Sequence, residues 1–214
     1  MNTSSRRAIL RTTLMTAAVA GASMLFGAAP AFAAPAVGQP APAFVAVDSK
    51  GQQHKLADFK GKVVVLEWTN NECPYVKKHY GSSNMQNLQK QAKQAGVVWL
   101  SVISSAPGEQ GHVNGAQADE LTASRQAAPT AVLLDPQGTI GRAYDARTTP
   151  HMYVIDAGGV LRYAGGIDSI PSPKPADIEK ADPLFKNALQ SVLKGETVAQ
   201  ASTRPYGCAV KYKS

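Results

Sequence analysis

The chain has 214 residues, of which 44% are apolar, 17% are charged and only two, Cys73 and Cys208, are cysteines. That size allows one domain with a full core, the apolar content excludes a chain disordered throughout, and two cysteines exclude a disulfide-dense scaffold. The net charge of +7, from 22 Lys and Arg against 15 Asp and Glu, would favour an anionic partner only if the basic residues clustered in the folded part.

Residues 1–33 hold three of those basic residues and no acid. Arg6, Arg7 and Arg11 precede an apolar, small-residue run over residues 14–29, which ends at Ala31-Phe32-Ala33. A basic start, an apolar stretch and a small-x-small cleavage site predict a secretory signal peptide, and the paired arginines resemble a twin-arginine export signal. Thr16, Gly21, Ser23 and Gly27 interrupt the run, so no membrane anchor is expected after processing, and the destination is periplasmic or otherwise extracytoplasmic. The mature chain keeps 19 basic against 15 acidic residues, a net +4. Lys77, Lys78, Lys90 and Lys93 read as the wet face of a helix and no basic run is interleaved with aromatics, so nucleic acid is not an expected partner.

Residues 34–42 are rich in Ala and Pro and read as a linker, and residues 196–214 read as a polar tail around a domain over residues 43–195. Phe44, Val45 and Val47 predict a strand that turns at Gly51 and returns over residues 53–55. Val63-Val64-Val65-Leu66 is the β-branched run of a strand buried on both faces. Residues 75–95 predict a helix broken at Gly81-Ser82-Ser83, and residues 97–103 a second buried strand, so strand, helix and strand imply a parallel crossover and an α/β fold. A weaker helix over 116–126, a strand over 131–134 and a short helix over 139–146 follow. Residues 151–155 and 160–164 predict a hairpin across Asp156-Ala157-Gly158-Gly159, and residues 183–193 a closing helix.

The chemistry is expected where the first buried strand meets the long helix. Cys73 stands at the helix start, with Pro74 suited to the first helical position. Free amide groups and the positive end of the helix dipole favour a thiolate there. Read from its position alone, Cys73 is equally a buried apolar residue or one half of a static bridge.

Gly38-Gln39-Pro40-Ala41-Pro42-Ala43-Phe44, then Gly51, then Gly61-Lys62-Val63-Val64-Val65-Leu66 and the strand-to-helix cysteine resemble the redoxin group of the thioredoxin-fold superfamily. Within it, the segment Cys73-Pro74-Tyr75-Val76-Lys77 is similar to peroxiredoxin-like, thioredoxin-family proteins of the alkyl hydroperoxide reductase and thiol-specific antioxidant type. The likeness covers residues 37–166, and Tyr206-Gly207-Cys208-Ala209-Val210-Lys211-Tyr212 resembles the same subfamily's ending. It implies a central mixed sheet flanked by helices, with an N-terminal hairpin and an extra strand-helix insertion. It further implies an enzyme that needs no cofactor and exchanges disulfides with a protein thiol or disulfide partner or reduces a hydroperoxide, and is reset by an external reductant.

On this resemblance Cys73 is the nucleophile and Val76 takes the place of the usual second cysteine, which leaves Cys208 as the only available partner. Glu67 falls where thioredoxins keep a buried proton acceptor, and Pro150 after Thr149 matches the cis-proline beside the active site. Asn70, Glu72, Pro74, Tyr75 and Thr149 are implied substrate contacts, although Glu72 beside the thiol opposes its ionisation. Leu66, Asn70 and Pro150 stand where peroxiredoxins carry their proline, threonine and arginine, and Arg147 is three residues early, which weighs against efficient peroxide reduction. The Cys73 to Cys208 pair is either redox-active or a structural staple within a non-catalytic binding domain. A copper site from Cys73, His151 and Met152 is a further alternative, but the four histidines lack ligand spacing and no metal is expected.

Overall fold

The computed structural model describes residues 35–213 together with Met1. The export segment therefore lies outside the described residues, save for Met1, and none of the helices described is long and apolar enough to cross a membrane. The elements in chain order are β1 (Val45–Asp48), β2 (Gln53–Lys55), a 3-10 turn (Leu56–Phe59), β3 (Val64–Trp68), α1 (Pro74–Gly81), α2 (Asn84–Gln94), β4 (Val98–Ile103), α3 (Gly115–Ser124) and β5 (Ala131–Leu134). Then come α4 (Thr139–Ala143), the two-residue β6 (Thr148–Thr149), β7 (His151–Ile155), β8 (Leu161–Gly165), a second 3-10 turn (Pro175–Asp177), α5 (Leu184–Leu193) and the two-residue β9 (Cys208–Ala209).

Seven strands form a mixed sheet in the order β2, β1, β5, β4, β3, β7, β8, and β6 pairs separately with β9. β3, β4 and β5 run parallel, while β1 and β7 join them antiparallel. Every residue of β3, β4 and β7 is buried, Glu67, Ser101 and His151 included, as befits mostly apolar strands covered on both faces. Strand alternation sends Leu66, Trp68, Leu100 and Val102 to the face shared with Phe44, Ile140 and Tyr144. Val65, Trp99 and Val154 go to the other face, against Val76, Tyr80 and Met85 of the first two helices and Phe185 and Leu189 of α5. The expected break in the long helix is real: α1 ends at Gly81, and Ser83, at φ 59°, caps the start of α2 at Asn84.

The expected first strand forms, with its side chains alternating between the two faces. Val45 and Val47 point outward, whereas Ala46 and Asp48 are buried. Asp48 accepts hydrogen bonds from the Lys50 and Gln52 amides and from His54, so the turn decides which side faces in. The expected linker is bound along the sheet edge, with the Gly38 amide on Leu161 O at 2.8 Å and the Ala41 amide on Gly159 O at 2.9 Å. From residue 201 to residue 211 the C-terminal segment is also bonded to the rest of the domain. Thr203 bonds Ala164 beside β8, Val210 bonds Arg147, and the Ala106 amide bonds Lys211 O at 2.8 Å.

Candidate active site

Cys73 caps α1 in extended conformation, with Pro74 in the first turn and the Lys77 amide bonded to the Cys73 carbonyl at 2.9 Å. Its thiol is completely buried and, when protonated, donates to the Thr149 carbonyl at 3.2 Å. Thr149 precedes Pro150 through a cis peptide bond. The Thr149 hydroxyl is buried and has no other partner among the described residues, so it is free to donate to the sulfur once Cys73 ionises. Burial alone would push the Cys73 thiol up. Hydrogen bonds from the Cys208 thiol, from Thr149 and from the Val76 and Cys208 amides outweigh it and hold the thiol below its ordinary value.

Cys208 reaches this position on β9, which pairs antiparallel with β6 so that Cys208 lies opposite Thr149. Gly207 makes the approach possible. Its φ is 140°, and a Cβ there would lie 2.0 Å from the Thr149 carbonyl oxygen. Both cysteines are free thiols. Burial, the hydrogen bond to Cys73 and the negative charge of Cys73 push the Cys208 thiol up to about 12. The pair is thus polarised, with a thiolate favoured at the helix cap and a proton retained on the tail.

The other residues expected at the site divide between the surroundings of the thiols and the structure that supports them. Pro74 is exposed, and Tyr75, half-buried, packs edge-on against Tyr206 with ring centroids 5.7 Å apart. Asn70 shapes the loop before the cap: its Oδ1 accepts from the Glu72 amide at 2.9 Å and its Nδ2 donates to Gln110 O at 3.2 Å. The exposed Glu72 accepts from the Gly111 amide at 3.1 Å, and the expected repulsion does not prevail over the donors around Cys73. Glu67 is fully buried, but Tyr80, Gln89, Trp99 and Ser101 all donate to its carboxylate and no hydrogen bond joins it to either thiol among the described residues. Its pKa is raised because burial outweighs those donors. Arg147 is turned out onto Asp145. His151 and Met152, as neighbours in one strand, face opposite sides, and only Met152 shares the Cys73 cluster.

The sequence pattern of the AhpC/TSA family matches residues 37–164, which spans the sheet and the cysteine-bearing helix. The chain belongs to the AhpC/TSA family. This family member is 28% identical over 134 residues to the thiol-disulfide oxidoreductase ResA of Geobacillus kaustophilus (strain HTA426), a match covering 59% of this chain and 67% of that protein. Among solved structures, a hypothetical protein from Sinorhizobium meliloti 1021 superposes with a TM-score of 0.69 at 21% identity, over 85% of this chain and 97% of the other. A putative thiol:disulfide interchange protein DsbE from Chlorobium tepidum gives 0.55 at 23% identity, over 75% and 99%. These structural likenesses establish a thioredoxin-like α/β fold.

One group at this family member's site departs from the sequence pattern. Lys78 is not on the wet face of its helix: it is 1% exposed, next to the fully buried His79. Its ammonium donates to Asp168 Oδ2 at 2.9 Å, to Tyr206 Oη at 3.2 Å and to Ile170 O at 3.3 Å. Burial holds the neutral form of His79 and pushes its pKa down to about 4, with Lys78 adding to the effect and Asp168 opposing it. The sequence carries a weak signal for this arrangement, since Tyr206 lies two residues before Cys208 in the ending that shares the family resemblance.

Proposed function

We propose that this chain is an extracytoplasmic thiol-disulfide oxidoreductase in which Cys73 is the nucleophile and Cys208 the resolving thiol. The observation that carries the reading is the pairing of β9 with the residue before the cis-proline, which sets Cys208 opposite Thr149, whose carbonyl accepts from Cys73, and packs Cys208 against the apolar cluster that holds Cys73. The similarity to ResA supports the same reaction class, and the family supports a thiolate mechanism.

In the reaction, the Cys73 thiolate attacks one sulfur of a partner disulfide. The partner's S–S bond breaks, its other sulfur departs as thiolate and takes a proton from water, and Cys73 is left in a mixed disulfide. Cys73 then carries no charge, which removes two of the influences that held the proton on Cys208. Cys208 loses that proton to water and attacks the Cys73 sulfur, closing the Cys73–Cys208 bond and releasing the partner's remaining thiol. Two electrons have passed to the partner, and an external dithiol reductant reopens the bridge. Because Cys73 is fully buried beneath the tail, the tail lifts before a partner reaches it. Glu67 serves to hold the first two helices against the sheet, since all its hydrogen bonds go to Tyr80, Gln89, Trp99 and Ser101.

Hydroperoxide is a secondary substrate. Cys73 would take the terminal oxygen as a sulfenic acid, an alcohol would leave, and Cys208 would displace water. The outward-turned Arg147 and the committed amide of Asn70 supply little help to that chemistry. The test is turnover of a peptide disulfide with a dithiol reductant, together with the potential of the Cys73–Cys208 couple. Cys73→Ser should abolish turnover and Cys208→Ser should accumulate a mixed disulfide. A potential well below about −300 mV, typical of structural bridges, would overturn the proposal.

A further inference from the structure

We infer that Tyr206, held by Asp168 and Lys78, is the positioning residue that keeps Cys208 within reach of Cys73. The inference rests on the redox reading above and extends it to residues outside the thiol pair.

A lysine ammonium and an aspartate carboxylate withdrawn from water destabilise the fold unless each is fully bonded. Here both are satisfied only with the tail in place. Asp168 is 5% exposed and takes donors from Lys78, from the Ile170 amide at 3.0 Å and from the Tyr206 hydroxyl. All three Lys78 protons have acceptors, one of them the Tyr206 oxygen. The ammonium also lies 5.4 Å from the centre of the Tyr206 ring. Removing the tail would leave each charge one bond short, so the buried pair acts as a latch for Tyr206.

The latch has a consequence for the thiols through its placement. Lys78 belongs to α1, the helix that Cys73 caps, and Tyr206 precedes Cys208 by a single intervening residue, Gly207. Helix α1 therefore fixes the nucleophile at its start and, one turn later, the segment that delivers the second sulfur. A second tyrosine secures the far side of Cys208, with the Tyr212 hydroxyl donating to Ala146 O at 2.6 Å, but that anchor is not on the helix that carries Cys73. Effective concentration between two groups falls steeply when their supports are loosened, and the Tyr206 hydroxyl, beside the pairing of Cys208 with Thr149, is a support shared by both sulfurs.

The experiment uses the full processed chain and a coloured aromatic disulfide reagent. The Cys73 thiolate first attacks one reagent sulfur, which breaks the reagent's S–S bond, expels one aromatic thiolate in a bimolecular step and leaves the other aromatic thiol joined to Cys73. Release of that second aromatic thiol then follows as Cys208 loses its proton and attacks the Cys73 sulfur, so that the internal bond forms and the bond to the reagent breaks. Tyr206→Phe should slow this first-order release about tenfold or more and lower the equilibrium constant for the bridge against glutathione by a similar factor. The initial attack by Cys73 should be no slower than in wild type. Asp168→Asn is the second variant and should act in the same direction. Thr203→Val, which removes a tail contact beside β8, provides the control for a purely structural loss and should leave release unchanged at a similar drop in melting temperature. If Tyr206→Phe and Asp168→Asn release the thiol as fast as Thr203→Val does, the positioning role is overturned. If Cys208→Ser releases it as fast as wild type, Cys208 is not the resolving thiol, and the reading beneath the inference falls with it.

Discussion

Replacing Gly207 by alanine should open the active site. The backbone there has φ 140°, which costs a residue with a side chain about 1–3 kcal/mol. The new Cβ would also stand 2.0 Å from the Thr149 carbonyl oxygen. Relief to ordinary contact needs about 1 Å or more of separation between backbones, enough to weaken the pairing of Cys208 with Thr149. A hydrogen bond contributes about 0.5–1.5 kcal/mol, so tail docking should lose about 2–4 kcal/mol in all, raising the open population roughly thirtyfold to several hundredfold. Alkylation of Cys73 in the reduced protein, followed site by site by mass spectrometry, reads that population because the docked thiol is completely buried. A Gly207→Ala protein that folds normally yet is alkylated at Cys73 within twofold of the wild-type rate would refute the argument that the tail seals the site.

Thr149→Val removes the hydroxyl available to the thiolate, so the midpoint of the pH dependence of Cys73 alkylation should move upward; an unchanged midpoint would show that this hydroxyl does not stabilise the charge. Glu67→Gln should lower the melting temperature, with a loss of about 1–3 kcal/mol as the donors from Tyr80, Trp99 and Ser101 face a weaker acceptor, while reduction of a peptide disulfide stays within a few-fold of wild type. A far larger loss of turnover than of stability would return Glu67 to a proton-transfer role. Buried His79 and His151 have pKa values pushed down by burial to about 4 and about 3. The unfolded chain therefore takes up their protons first as pH falls below about 6.5, and stability should drop by a few kcal/mol between about pH 6.5 and pH 4. His151→Phe should flatten that profile in chemical denaturation; a variant with the same slope as wild type would exclude His151 as a source.

The parts of the fold legible in the sequence are those written in periodicity. The continuous runs of β3 and β4, the hairpin of β7 and β8 and the break at Gly81-Ser82-Ser83 depend on local patterns that burial then reinforces. The phase of β1 is not legible in this way, because Asp48 is drawn inward by three hydrogen bonds from its own turn and carries the strand with it. At the site, the placement of Cys73 follows from a helix start, and the cis-proline follows from resemblance. Lys78 misleads because a lysine between polar neighbours normally faces water. Its burial depends on Asp168 and Tyr206, 90 and 128 residues away, and no local pattern encodes such a partner. Glu67 is expected inside, and it is, but the identity of its four donors depends on how helices and strands are brought together.

The backbone cover along β8 also bears on how the chain behaves at high concentration. An outer strand with free amides and carbonyls can recruit a strand from another molecule. Here residues 38–41 bond around Gly159 and Leu161 at the start of β8, and residues 201–203 bond Ala164 and Gly166 near its end. At the opposite margin, β2 is only three residues long, Gln-His-Lys, and polar. Loss of the C-terminal segment by proteolysis would therefore do more than remove a thiol. It would uncover half of an otherwise shielded border and leave the chain prone to growing sheets with its neighbours.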